Sequence, residues 1–203
     1  MAALLGHVGD TGGGAAASQA GVRILADNVV RLAQFGTLYG LPIVLSTVNV
    51  NTGRNQPTIT PLQDVLSGIE PLDRTTINAW EDVEFNQAVK ATGRNKLIMA
   101  ALWPEACLSF PALDAMREGY ETYPVVDAVG GTSHEAHRAA LERLVQAGAK
   151  PTSLTQVACE LQRDWAREET AQAFAQILFG RTGAAHGVES DRIPPRVRET
   201  AGR

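Results

Sequence analysis

The side chains best suited to covalent chemistry in this sequence are its two cysteines, Cys107 and Cys159. They lie far apart and form no C-x-x-C pair. That usage fits a reducing compartment, where a lone cysteine is either buried or catalytic. Cys107 follows Leu102-Trp-Pro-Glu-Ala106, in which the apolar run Lys96–Trp103 ends. The run reads as a central strand, and a helix is predicted from about Glu105. Cys107 then falls in the first helical turn. Unpaired N–H groups and the helix dipole favour negative charge there, and so favour the thiolate, the reactive form of cysteine. The amides of Ala106 and Cys107 are placed to hold an oxyanion during acyl transfer. The pattern is similar to a nucleophile elbow, without its G-x-S-x-G. The competing reading is a buried structural cysteine.

The other reactive candidates carry less. His134 and His137 are three apart on a predicted helix, but no acid or cysteine is spaced to complete a metal site, so no metal is expected. The Gly-rich stretch before residue 15 lacks both G-x-G-x-x-G and a P-loop lysine. No organic cofactor is expected. Cys159, among Val157, Ala158 and Leu161, reads as core. Glu105 reads as a charge that stabilises its helix N-terminus.

The elements that must position Cys107 alternate along the chain, as in a parallel sheet covered by helices. A helix is predicted over 22–39, with Leu25, Val29, Leu32 and Phe35 on one stripe and Gly40 ending it. Pro42–Val48 reads as a strand buried on both faces. A loop spans 51–60, a short helix Pro61–Gly68, a weak strand Ile69–Thr75, and a helix Asp82–Ala91 with Val83, Phe85 and Val89 apolar. The helix after Cys107 is predicted to run to Arg117 and to bend or restart at Pro111. Tyr120–Val129 is the next strand. Ser133 caps a helix running to about Ala147, with Ala140, Leu141, Leu144 and Val145 inward. Thr152–Thr155 is an edge strand or bend. Residues 156–179 are helical, with Leu161, Trp165, Phe174, Ile177 and Leu178 as core. Ala2–Leu5 is a shortened first strand. The prediction is a three-layer α/β/α fold with a mostly parallel, Rossmann-like sheet. It forms one domain over 1–203, with an atypical stretch over 1–21 and a tail or oligomerisation arm over 180–203.

Bulk properties narrow the function. Hydrophobic residues make up 44% and charged residues 20% of 203, near the globular average, so a sizeable core is available. The net charge of −4 and the lack of a Lys/Arg run argue against nucleic-acid and anionic-membrane partners. No apolar stretch is long enough to span a bilayer, and no secretion signal is read, so a cytoplasmic location is expected.

Ala100–Leu113 resembles the nucleophile segment of isochorismatase-like cysteine hydrolases. In that family a strand is followed by a small residue, two apolar residues, Thr-Glu, one residue and the Cys. Asp73–Asp82 resembles the segment supplying the family's catalytic cation, and Gly119–Ala128 resembles the next strand and its terminal Asp. Ala147–Ala149 and Val157–Trp165 resemble an amidohydrolase branch of unassigned substrate. The resemblance covers about residues 22–180. It implies a triad of Asp, cation and Cys, in which Arg74 matches the cation and acts electrostatically, because Arg stays charged. The alternative for Arg74 is an ion pair with Asp73. The family also has a cis peptide shortly before the Cys, which predicts a cis Trp103–Pro104 bond. The alternative is a trans proline in the first helical turn. Around Cys107, the pocket is expected to draw on Trp103, Pro104, Asn78, Trp80 and Asp127. Asp127 is alternatively a cap for the Gly130-Gly131 turn.

The departure is at the start. The family's Asp-x-Gln is missing, and ungapped counting puts Val8 at the Asp position. Asp10, the one acid before Asp27, is the substitute base. Two functions follow. One is hydrolysis of a C–N bond in a small amide through an acyl-enzyme on Cys107. The other is a non-catalytic family member that serves as an oligomer or ligand-binding protein. Homo-oligomerisation is expected by resemblance.

Overall fold

The computed structural model describes residues 1–6 and 19–180. Five strands form the sheet: β1 Ala2–Leu5, β2 Ile43–Val48, β3 Leu72–Arg74, β4 Lys96–Ala100 and β5 Glu121–Pro124. All the pairings are parallel, in the order β3-β2-β1-β4-β5. The helices are α1 Gln19–Leu38, α2 Thr60–Val65, α3 Val83–Ala91, α4 Ser109–Arg117, α5 His134–Gln146, α6 Leu154–Gln162 and α7 Glu168–Phe179. A 3-10 turn spans Ala79–Glu81 and a π-helical turn spans Pro104–Leu108.

Strand alternation divides the core into two layers. Leu45, Ile98, Ala100 and Val125 face Val29, Leu32 and Phe35 of α1, Ala158 of α6 and Phe174 of α7. Ala2, Val44, Leu97 and Met99 face Phe85 and Val89 of α3, Ala112 and Ala115 of α4 and Leu144 of α5. The result is the three-layer α/β/α sandwich that the sequence predicts. The first strand is the central one, as short as Ala2–Leu5 suggests.

Some local expectations are corrected. No cis peptide occurs among the described residues, so Trp103–Pro104 is trans. The chain instead turns through Trp103, at φ 56° and ψ 75°, with trans Pro104 opening the helical turn. The irregularity expected at Pro111 sits earlier, over 104–108. Pro111 lies within the first turn of α4, where its missing N–H costs little. Val83 and Val145 are exposed, 67% and 52%. Each lies off the stripe set by Phe85 and Val89, or by Ala140 and Leu144. Cys159 is exposed rather than core. Trp165 is 61% exposed, although its ring packs edge-on against Phe174 at 5.1 Å. The helix expected from 156 begins at Leu154, because Ser153 accepts the Gln156 N–H as its cap. The strand expected over 120–129 ends at Pro124; beyond it Val125 makes an isolated bridge to Thr152, and Gly130 one to Leu102.

Candidate functional site

Sheet order reverses between β1 and β4, and the crevice beyond the carboxyl ends of strands at such a point is the natural ligand site of an open parallel sheet. A narrow cleft of about 20 Å³ lies there. Gly6 after β1, Ser46 of β2, Arg74 of β3 and Cys107 after β4 all border it. Phe85 and Pro111 supply apolar wall. Gly6 makes close approach feasible: a Cβ there would lie 2.6 Å from that of Ala101. Its N–H donates to the Ala100 carbonyl at 2.7 Å, which holds the floor closed.

Arg74 and Cys107, proposed from separate segments, are therefore brought to one cleft. Arg74 is 3% exposed. Its Nε donates to Ser46 Oγ at 3.0 Å, and Nη1 donates to the carbonyls of Thr76 and Ile77. No ion pair with a described carboxylate forms on this guanidinium. Asp73, the alternative partner, instead takes Thr47 Oγ1 at 2.8 Å, Val50 N–H at 3.1 Å and Asn51 N–H at 2.9 Å. A buried cation held, among the described residues, by neutral acceptors alone is expensive, and an anion arriving in the cleft would offset that cost. Ser46 is the site residue that sequence reading missed. Its signal was a hydroxyl inside an apolar run predicted to be buried on both faces. Such a hydroxyl needs a partner.

Cys107 lies in the π turn, partly exposed. Pro104 is buried, and its carbonyl accepts both the N–H and the Oγ–H of Ser109. Ala106 does not offer a free amide: its N–H donates to the Trp103 carbonyl at 2.9 Å. The expectation of an oxyanion donor at Ala106 is thus corrected, because the left-handed Trp103 folds its carbonyl back under that amide. Trp103 itself is 48% exposed and does not line the cleft.

Three further pocket expectations are also corrected. Asn78 is buried and its side chain is committed: Oδ1 caps Trp80 N–H at 3.0 Å, and Nδ2 donates to Asp114 at 2.7 Å. Trp80 is core, donating Nε1–H to Glu118 at 2.8 Å and packing edge-on against Tyr120. Asp127 is taken up by α6 rather than by the Gly130-Gly131 turn. Its Oδ1 accepts the Leu154 N–H at 2.8 Å, at the start of α6. Asp10 and Val8 lie outside the described residues. His134 and His137 gain no further ligand, and no cluster of three or more metal-binding side chains occurs among the described residues. Burial pushes the His137 imidazole below its ordinary range. The Glu105 charge opposes that shift, and His134 adds to it.

The family model for the Isochorismatase domain matches residues 7–156. Probable hydrolase YcaC of Escherichia coli (strain K12) is 39% identical over 140 residues, 68% of this chain and 67% of that protein. The solved structure of YcaC from Pseudomonas aeruginosa, with hexane-2,5-diol and covalent acrylamide, is similar with a TM-score of 0.79 at 32% identity, covering 89% of this chain and 88% of that one. The Escherichia coli YcaC gene product, described as an octameric hydrolase of unknown specificity, gives a TM-score of 0.77 at 32% identity over 87% and 86% of the two chains. Among the described residues no helix is long and apolar enough to cross a membrane.

Proposed function

The chain belongs to the isochorismatase family of hydrolases, and from that premise we propose that it cleaves a C–N bond of a small amide through a covalent acyl-enzyme on Cys107. The observation that carries this reading is the meeting of Arg74 and Cys107 in one cleft at the switch point of the sheet. The Cys107 sulfur adds to the carbonyl carbon, and the carbonyl electron pair moves onto oxygen. Collapse of that oxyanion expels the amine, which takes up the proton lost by the thiol. Water then adds to the thioester and releases the acid and the thiol. The Cys107 N–H is the amide proposed to face the oxyanion, Ala106 being engaged. Arg74 stabilises the negative charge as it moves from sulfur to oxygen. Asp10 is proposed as the proton carrier. The family match begins at residue 7 and so includes it.

The acrylamide held covalently by the Pseudomonas aeruginosa relative supports a nucleophile of this kind, since thiolates add to acrylamide readily. The octamer of the Escherichia coli relative supports self-association here, and the absence of a membrane-spanning helix among the described residues is compatible with a cytoplasmic location. A second reading, binding without turnover, is favoured by Val8 at the family's Asp position and by the engaged Ala106 amide.

The test is acrylamide labelling of the full chain read by peptide mass spectrometry, beside ammonia release from a panel of short aliphatic and aromatic carboxamides. Cys107 is expected to label ahead of the exposed Cys159. Cys107→Ser is expected to lose at least about 10³-fold in ammonia release, as removal of a nucleophile does. Labelling of Cys107 with no release from any amide would favour the second reading. Full activity in Cys107→Ser would overturn the first.

A further inference from the structure

The segment that carries Cys107 is sewn to the loop before α5. Leu102 bridges Gly130, and the Trp103 N–H donates to the Gly130 carbonyl at 2.7 Å. Two residues on, the Glu105 side chain crosses the same gap. Its Oε1 accepts the Thr132 N–H at 2.9 Å and the Thr132 Oγ–H at 2.6 Å. Glu105 Oε2 is out of contact with solvent and takes no bond from a described group. Burial pushes the carboxyl upward. The Thr132 hydroxyl, Glu105's own backbone N–H and the Thr132 N–H together outweigh it and hold Glu105 below the usual carboxylate range, with the His137 side adding to the same effect.

A half-buried carboxylate with one bare oxygen is a costly way to start a helix. Ordinary caps stand nearby for comparison: Ser133 on Ala136 and Ser153 on Gln156. The loop that Glu105 grips packs closely on α5: a Cβ on Gly131 would lie 2.7 Å from His137 Cβ and 3.0 Å from its Cα. Glu105 therefore ties the π turn to the loop that leads into α5. Trp103, in the left-handed region, has no side-chain cap to fix that turn.

We infer that Glu105 is a positioning residue for the nucleophile: its double hydrogen bond to Thr132 sets the π turn that aims Cys107 into the Arg74 cleft. This rests on Cys107 being the nucleophile. The residue acts through hydrogen bonds rather than through its charge, so an isosteric amide that keeps the acceptor oxygen suffices.

The experiment measures the ratio of Cys107 to Cys159 acrylamide labelling in the full chain at pH 6.5, with thermal midpoints beside it. Glu105→Ala is expected to lower the ratio by about 10- to 100-fold, the loss that a misplacement near 1 Å produces. Glu105→Gln is expected to restore it to within about 2-fold, and Thr132→Val, which keeps only the N–H, to fall between. Rescue by Gln separates positioning from loss of charge. Thr132→Val carries the test if Glu105→Ala fails to fold. An unchanged ratio in Thr132→Val together with a low ratio in Glu105→Gln would overturn the inference in favour of an electrostatic role. An unchanged ratio in both Glu105→Ala and Thr132→Val would overturn it outright. A wild-type ratio near one would instead sink the nucleophile reading itself, whatever Glu105 does.

Discussion

At the amino edge of the sheet, charges sit in exposed pairs: Lys96 and Lys150 both reach Glu121, and Lys90 reaches Glu118 at 3.0 Å. The turns there are ordinary, with Gly93 and Gly119 in the left-handed region and open space around them. The carboxyl edge is built differently. Arg74 is buried with neutral acceptors, Glu105 Oε2 is bare, Trp103 is left-handed without being glycine, and Gly6 and Gly131 stand where no Cβ fits. The same strands thus end in two different economies. One edge uses cheap, screened, replaceable interactions. The other concentrates strain and desolvated charge, which is where natural sequences place function.

The strongest way to break this contrast is at Arg74. Arg74→Met keeps the length and removes the charge, leaving Ser46 Oγ and the carbonyls of Thr76 and Ile77 without their donor. A loss of about 2–4 kcal/mol in urea unfolding is expected, from buried acceptors left unsatisfied. Cys107 labelling by acrylamide is expected to fall at least about 10-fold in the same variant, because its cation is gone. Arg74→Lys should recover part of the labelling but not all of the stability, since one ammonium cannot span three acceptors. Wild-type labelling and stability in Arg74→Met would end the claim that the carboxyl edge holds a working cation.

How far this contrast was legible in the sequence depends on the reach of each signal. Local signals worked. Ser133 caps α5, Gly40 ends the turn after α1, and Ala2–Leu5 forms β1 despite its brevity, because each follows from a few adjacent residues. Cys107 was proposed because it follows a strand legible as an apolar run, and Arg74 because Asp73–Asp82 resembles the family's cation segment; the fold brings both to one edge of the sheet. What failed needed a partner distant in sequence. Nothing near Asn78 tells that Asp114 of α4 will take its amide, nor that Asp127 will meet the Leu154 N–H of α6. The trans Trp103–Pro104 bond was hidden for a similar reason. The Gly130 carbonyl that receives the Trp103 N–H, and so favours the left-handed turn, comes from the loop before α5. Ser46 was the opposite case: its polarity inside an apolar run was visible, but its partner Arg74 was not assigned to it.

A glycine on each edge sharpens the comparison at intermediate size. Gly131→Ala drives a Cβ to 2.7 Å from His137 Cβ, against the start of α5, where nothing flexible can yield. Overpacking of that kind costs about 1–3 kcal/mol. Gly119 has φ +89° and nothing within 4 Å of a Cβ. Gly119→Ala should cost about 1–2 kcal/mol, from backbone conformation alone. Urea unfolding of the two variants does not by itself separate them. The ratio of Cys107 to Cys159 labelling does: it should drop in Gly131→Ala, which displaces the loop under Glu105, and stay at the wild-type value in Gly119→Ala. Equal labelling in both would mean that the Gly130–Thr132 loop does not support the turn that carries Cys107.

The smallest expected effect is at the Lys150–Glu121 pair. Glu121 is held below the usual carboxylate range chiefly by the Lys150 hydrogen bond, with Tyr123 helping. Glu118 is lowered chiefly by the Trp80 indole and then by Lys90. Both carboxyls therefore lie lower in the folded chain than in the unfolded one. The unfolded chain binds their protons first as pH falls, so what these pairs contribute is present above the unfolded value near 4.5 and disappears as pH drops through the folded value. Exposed pairs are screened and worth little. Lys150→Ala is accordingly expected to leave the urea midpoint at pH 7 unchanged within error, to flatten slightly the fall in midpoint between pH 5 and pH 3 at low salt, and to leave Cys107 labelling alone. A Lys150→Ala shift as large as that of Gly131→Ala, or any change in Cys107 labelling, would show that the two edges are coupled and that the division of labour between them is wrong.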